Sequence, residues 1–388
     1  MSRGGALQAN GIMVAAQGGN SLAAPRGYYA KTLTIAIAML TVVAVRLHEF
    51  IPMIGIISPV LLVAVGGSYL VLTKTRPNIV REVLQHPIPR LALVYFLWAG
   101  VTVVFALWRG LAVESMKALL PAILLCTIVA LCPPRRAIFD RVLVAYAIVV
   151  GIFSAYGLVY GQVSMHRLSF GGMYDSNDIA AILALSFPIT VGVAMRAKGR
   201  ARWLAAASCA LLVMTIVAAN SRGSILGFVA GALVFVMGMK GERKILVLAL
   251  FVLAGAGVWA TASQNFRSRM VSITNLENDY NTTAETGRKA VWRRGRGYIR
   301  QHPVFGVGVG NFPIAEGATL TEADQRGKWS AAHNAYIQSY AELGLFGGTV
   351  FVLLIITGAR QAMTFWHPRT ASKPGGFHRP ELLASIAA

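Results

Sequence analysis

Apolar positions in this chain do not alternate with polar ones. They form runs of about 16–23 residues that are almost free of charge, separated by short polar breaks. A helix rising ~1.5 Å per residue needs about 20 residues to cross a ~30 Å hydrocarbon core, so each run has the length of a membrane span. Ten are predicted, at 32–46, 51–73, 91–108, 117–132, 142–161, 179–195, 203–219, 224–239, 245–262 and 342–358. The first two abut around His48, Glu49 and Pro52. Each run must be helical, because backbone groups facing lipid find no water and a helix satisfies them internally.

Composition strengthens this picture. Of 388 residues, 56% are apolar and 13% charged, whereas soluble domains carry roughly 25% charged residues. The net charge of +21 would suggest nucleic-acid binding in a soluble protein. Here it reads instead as an orientation signal, and no nucleic acid is expected as a partner. With the N-terminus inside, twenty-one Lys and Arg fall on inside segments and five (Arg46, Arg109, Lys117, Arg167, Arg222) in short outside loops. The other ten lie in one long outside loop, 263–341, whose length frees it from the rule. The expected organisation is a disordered cytoplasmic tail (1–30), spans one to nine (31–262), the outside loop (263–341), a last span (342–358) and a tail (359–388). Residues 381–388 resemble the start of an eleventh span that never completes. Cys126, Cys132 and Cys209 all fall within spans and read as packing residues.

A connection of nearly 80 residues invites a functional reading. Thr286–Arg300 has helical periodicity, with Lys289, Arg293, Arg296 and Arg300 in one basic stripe. That stripe suits a solvated face or anionic lipid headgroups. Arg288 shares the other face with Trp292, Gly295 and Ile299, and so points toward the protein. A guanidinium there needs an anion, supplied either by a ligand or by a carboxylate such as Glu285 or Asp279. His302, next to Pro303, reads as structural. The glycines at 306, 308 and 310 mimic a nucleotide-binding turn but lack a following βαβ pattern, so a tight backbone passage beside a ligand or helix fits better. Ser330 is a candidate cap for a helix carrying His333, Ile337 and Tyr340. Arg167 and Arg222 fall in short loops on the same side. Three arginines and one histidine gathered there suit a phosphate site. Asp175 and Asp178 could hold Mg²⁺, yet Asp-Ser-Asn-Asp before an apolar run is also a helix start, which is the preferred reading.

These segments together resemble the O-antigen ligase and polymerase superfamily of bacterial envelope glycosyltransferases. The resemblance rests on Asn220-Ser221-Arg222-Gly223, on Gly287-Arg288 with Trp292, and on His302-Pro303 with Gly306-Val307-Gly308 and Asn311-Phe312. It rests also on His333-Asn334 with Glu342-Leu343-Gly344, and more loosely on Arg167 with Asp175-Ser176-Asn177-Asp178. It covers about 150–358. Members usually continue for one or two further spans, so the short C-terminal tail reads as truncated. The resemblance implies an all-α polytopic bundle of about ten transmembrane helices with one long, partly helical periplasmic loop, in the bacterial inner membrane. It also implies inverting, metal-independent, cofactor-free transfer of a glycan from undecaprenyl diphosphate to a hydroxyl of lipid A core or of another glycan. An imidazole suits the base and typically contributes ~10²–10⁴-fold, a role assigned to His333. Arginine forks suit the departing diphosphate, a role assigned to Arg222 and Arg288, with Arg167 as a third contact. Polymerase instead of ligase is the alternative within the family. A transporter of lipid-linked glycans is disfavoured, because no charge lies near the centre of a span and no repeated halves are evident. An inactive relative kept as a scaffold is a further alternative.

Overall fold

The computed structural model describes residues 65–69, 84–131, 136–164, 166–170, 175–239, 241–273, 284, 287–323 and 329–366. Nearly all of these are helical. In chain order the helices are α1 (Pro87–Val104), α2 (Arg109–Leu131), α3 (Arg136–Tyr160), α4 (Ser176–Arg196), α5 (Arg200–Ala219), α6 (Arg222–Met237), α7 (Glu242–Thr261), α8 (Gln264–Val271), α9 (Arg288–Gln301), α10 (Phe312–Glu322) and α11 (Ala335–Trp366). Between α3 and α4 lies an antiparallel hairpin of β1 (Gln162–Ser164) and β2 (Arg167–Ser169), with Val163 opposite Leu168.

Six helices are long and apolar enough to cross a membrane: Pro87–Val104, Asp140–Tyr160, Ser176–Arg196, Arg200–Ala219, Lys244–Thr261 and Ala335–Gln361. They match six of the ten predicted spans, with ends moved by a few residues. The expected span at 224–239 is the shorter apolar helix α6. The one expected at 117–132 falls within α2, which starts earlier and carries an exposed Lys117–Glu114 ion pair in its early turns. The two runs before residue 74 lie almost wholly outside the described residues. The chain is a helical membrane protein.

Local chemistry explains the element ends. Pro at the first turn of α1 costs nothing, since that N–H has no intrahelical partner. Asp175 caps α4 by accepting from the N–H groups of Asn177 (2.7 Å) and Asp178 (2.8 Å), as a helix start requires. Ser221 caps α6 through the N–H of Ser224. Asn220 closes α5 in the left-handed conformation, φ 48°, which asparagine tolerates.

The described helices pack in two groups. In one, α3, α4, α5 and α6 surround Val150, Phe153, Ile179, Leu183, Leu212 and Ile216, and the hairpin closes the end with Leu168 and Phe170. In the other, α1 packs on α2 and on α11, and α9 packs on α11. The long connection has a core of its own, built from Val291, Tyr298, Val307, Phe312, Ala315, Ala332 and Ala341. Its exposed apolar counterpart is α7, where Ile245, Leu246, Val252 and Leu253 face outward, as a lipid-facing helix should.

Candidate active site

The site begins at the end of the first group where α3, the hairpin, α4, α5 and α6 meet. Asn177, in the first turn of α4, is the hub. Its side-chain oxygen accepts from Arg167 Nη2 (2.8 Å) and from Ser221 Oγ (2.9 Å). Its backbone carbonyl accepts from Ser224 Oγ (3.2 Å). Asn220 reaches across to donate to the backbone oxygen of His166 (3.4 Å). The hairpin that carries Arg167 is thus tied to the α5–α6 corner that carries Arg222. Arg222, partly buried, donates through Nη1 to Ser272 Oγ (3.0 Å), just after α8.

Arg222 and Arg288 both lie within electrostatic reach of Arg167. Burial lowers the Arg167 pKa from its ordinary value, and the cations at Arg288 and Arg222 push the same way, against an upward pull from Asp175. The Arg167 Nε is buried without a hydrogen-bond partner. Like charges held together in this way repel, and an anion among them relieves the repulsion.

Arg288 opens α9 and is partly buried, whereas Lys289, Arg293, Arg296 and Arg300 are all exposed, as the helical spacing predicts. Glu285 and Asp279, the carboxylates considered for Arg288, lie outside the described residues. One turn along from Arg288, Trp292 Nε1 donates to the backbone oxygen of Ala332 (2.8 Å) and so pins the residue before His333. His333 itself is exposed and close enough to Asp178 for the two to interact electrostatically. Adjacent residues of α4 thus relate to both parts: Asn177 bonds Arg167, and Asp178 interacts with His333.

The helix expected around His333 starts later than its sequence suggests. His333 precedes it in a left-handed conformation, φ 49°, so it does not share a helical face with Ile337 and Tyr340. The cap is Asn334, whose Oδ1 accepts from the N–H groups of Tyr336 (3.1 Å) and Ile337 (3.2 Å), and not Ser330. His302 terminates α9 and is exposed.

The glycine turn passes beside a helix. α11 is broken at Gly344, φ 67°, which frees carbonyls on its membrane-entering turn. Val307 N–H donates to Ala341 O (2.8 Å), Gly308 N–H to Glu342 O (3.0 Å), Leu345 N–H to Pro303 O (2.8 Å) and Trp98 Nε1 to Leu343 O (2.8 Å). The Glu342 carboxylate accepts from the N–H groups of Gly310 (2.8 Å) and Phe312 (3.3 Å). A Cβ on Gly344 would fall 2.1 Å from the Val304 oxygen, and one on Gly306 would fall 2.4 Å from the Glu342 carbonyl carbon. Only glycine allows this backbone-on-backbone approach.

Two features escaped sequence reasoning. The first is Asn177, legible in the sequence only as part of a cap. The second is a buried ion pair in the loop. Glu316, fully buried, accepts a fork from Arg294 Nε (3.0 and 3.1 Å) and Nη2, and also the Tyr298 hydroxyl (3.1 Å). Burial, ahead of the Glu316 carboxylate, pushes the Tyr298 phenol up to about 12. Arg294 shares its face with Val291 and Tyr298, and an arginine at a core-facing position was the available signal.

Residues 207–352 match the model of the O-antigen ligase family. That match supports the O-antigen ligase and polymerase superfamily. It spans Arg222, Arg288 and His333 and leaves Arg167 outside. No curated protein matches the chain significantly.

Proposed function

We propose, from a chain whose residues 207–352 match the O-antigen ligase family, that this membrane enzyme moves a glycan from undecaprenyl diphosphate to an acceptor hydroxyl at the periplasmic face. The observation that carries the reading is that Arg222 and Arg288 lie within electrostatic reach of Arg167, and His333 within electrostatic reach of Asp178. The acceptor oxygen attacks the anomeric carbon and gives its proton to the His333 imidazole. The bond from that carbon to the diphosphate breaks, and the leaving group departs with the electron pair. In-line displacement of this kind inverts the anomeric centre.

Charge builds on the departing diphosphate, and three fixed guanidinium groups in a partly dehydrated setting stabilise it where it develops. Asp178, within electrostatic reach of His333, orients the imidazole for the proton transfer. No step needs a metal, since arginines supply the counter-charge and Asp175 is engaged in capping α4. Polymerase activity, with a second lipid-linked glycan as acceptor, uses the same machinery and differs only in what occupies the acceptor side.

The test is incubation of the purified chain with a polyprenyl-diphosphate oligosaccharide and either lipid A core or a second lipid-linked glycan. Capping of the core supports the ligase, and chain growth supports the polymerase. With His333→Ala, transfer should fall by about 10²–10⁴-fold while membrane insertion is unchanged. Wild-type transfer by that variant removes the base assignment.

A further inference from the structure

At the opposite end of α4 from Asn177, the helix closes on Arg196, which pairs through Nη2 with Asp140 Oδ1 of α3 (2.5 Å). The helix is 21 residues long, so this end lies about 30 Å from the candidate active site. Between the two helices is a cavity of about 130 Å³ lined by Asp140, Leu143, Val144, Val193, Arg196 and Ala197. Two observations make it more than a packing gap. The Arg196 side chain is only 11% exposed, and its Nε is buried with no hydrogen-bond partner, although the guanidinium is built to donate as a fork. In addition, Arg141, Lys198, Arg200 and Arg202 stand exposed at the same helix ends, against the one carboxylate of Asp140.

We infer that this cavity seats the phosphate of an anionic phospholipid. Phosphate oxygens accept from the Arg196 guanidinium, which lines the cavity, and the exposed cations add long-range attraction. A lipid is favoured over free phosphate by the rest of the lining. Leu143, Val144, Val193 and Ala197 form an apolar wall continuous with a buried cluster at Ala147, Val193 and Ala205. That wall matches a glycerol and acyl chain, and a small hydrated anion gains nothing from it. Both helices are long and apolar enough to span the bilayer, so their ends lie at headgroup depth. The inference is independent of the transfer chemistry at the other end, and either can fail without the other.

The experiment is native mass spectrometry of the purified full chain, equilibrated with equimolar phosphatidylglycerol and phosphatidylcholine. The wild-type protein should retain phosphatidylglycerol preferentially. Arg196→Gln should lower that retention by about tenfold, the loss of one charge-assisted contact. Arg202→Gln, which removes an equal but exposed charge, should stay within about twofold of wild type. Equal retention of the two lipids by the wild type overturns the site, and that measurement does not depend on any variant folding. Equal losses in the two variants also overturn it, because general attraction to a basic protein would then suffice. Protection of the wild type against heat by inorganic phosphate as strong as that by phosphatidylglycerol overturns the lipid as occupant.

Discussion

At Arg222 and Arg288 the informative substitution preserves charge and removes geometry. Lysine is a point charge that cannot form the planar fork, so Arg222→Lys or Arg288→Lys should reduce turnover by about tenfold or more while protein yield is unaffected. Unchanged turnover in a reconstituted assay would mean that these side chains only reach toward headgroups. Asn177 deserves the same treatment for a different reason. It holds Arg167 and the Ser221 cap at once, so Asn177→Ala should lower activity without touching the base. An Arg167→Ala, Asn177→Ala double variant no worse than either single would show that both act through one contact. Glu316 belongs to stability. Glu316→Gln leaves Arg294 buried without its carboxylate and should cost about 3–5 kcal/mol, read as a lower melting temperature in detergent.

Among the helices, α11 shows how a broken span is made tolerable. A helix interrupted at the membrane boundary exposes carbonyls, and hydrocarbon offers them nothing. The 303–312 turn supplies the missing donors from its own backbone, which is why three closely spaced glycines precede α10 and why Glu342 reaches back to cap them. Gly344→Ala should therefore displace the turn as well as strain residue 344, and both thermal stability and transfer should fall together. Intact activity in that variant would separate the kink from the site. The same break explains why the loop and the last span are one folded piece: α9 and α10 share a core with the first turns of α11, and Trp292 carries that rigidity to the residue next to His333.

Across the assembled protein, the candidate site draws Arg167, Asn177 and Arg222 from one helix group and Arg288 and His333 from the other and its loop. Two consequences can be measured. Transfer should persist in EDTA, and loss rescued by Mg²⁺ would move the phosphate role toward Asp175 and Asp178. A cysteine placed at exposed Lys289 and one placed at exposed Lys198 should react with an impermeant thiol reagent from opposite faces of sealed vesicles. Labelling from the same face would break the N-inside topology. Six of the predicted spans were legible in the chain because transfer from water to lipid is paid residue by residue, and that cost is additive along a run. The faces of α9, and the preference for Asp175 as a cap, were legible because helical period and first-turn geometry are local. The Arg294–Glu316 pair and the Asn177 hub were not legible, because each depends on partners ten or more residues away; the cap at Asn334 turned on a single backbone angle, and the hairpin at 162–169 has strands of three residues, too short to show a period. Electrostatic reach among Arg167, Arg222 and Arg288 is of the same kind: Asn177 holds Arg167 by a hydrogen bond and Asp175 attracts it, and no one-dimensional pattern encodes those contacts.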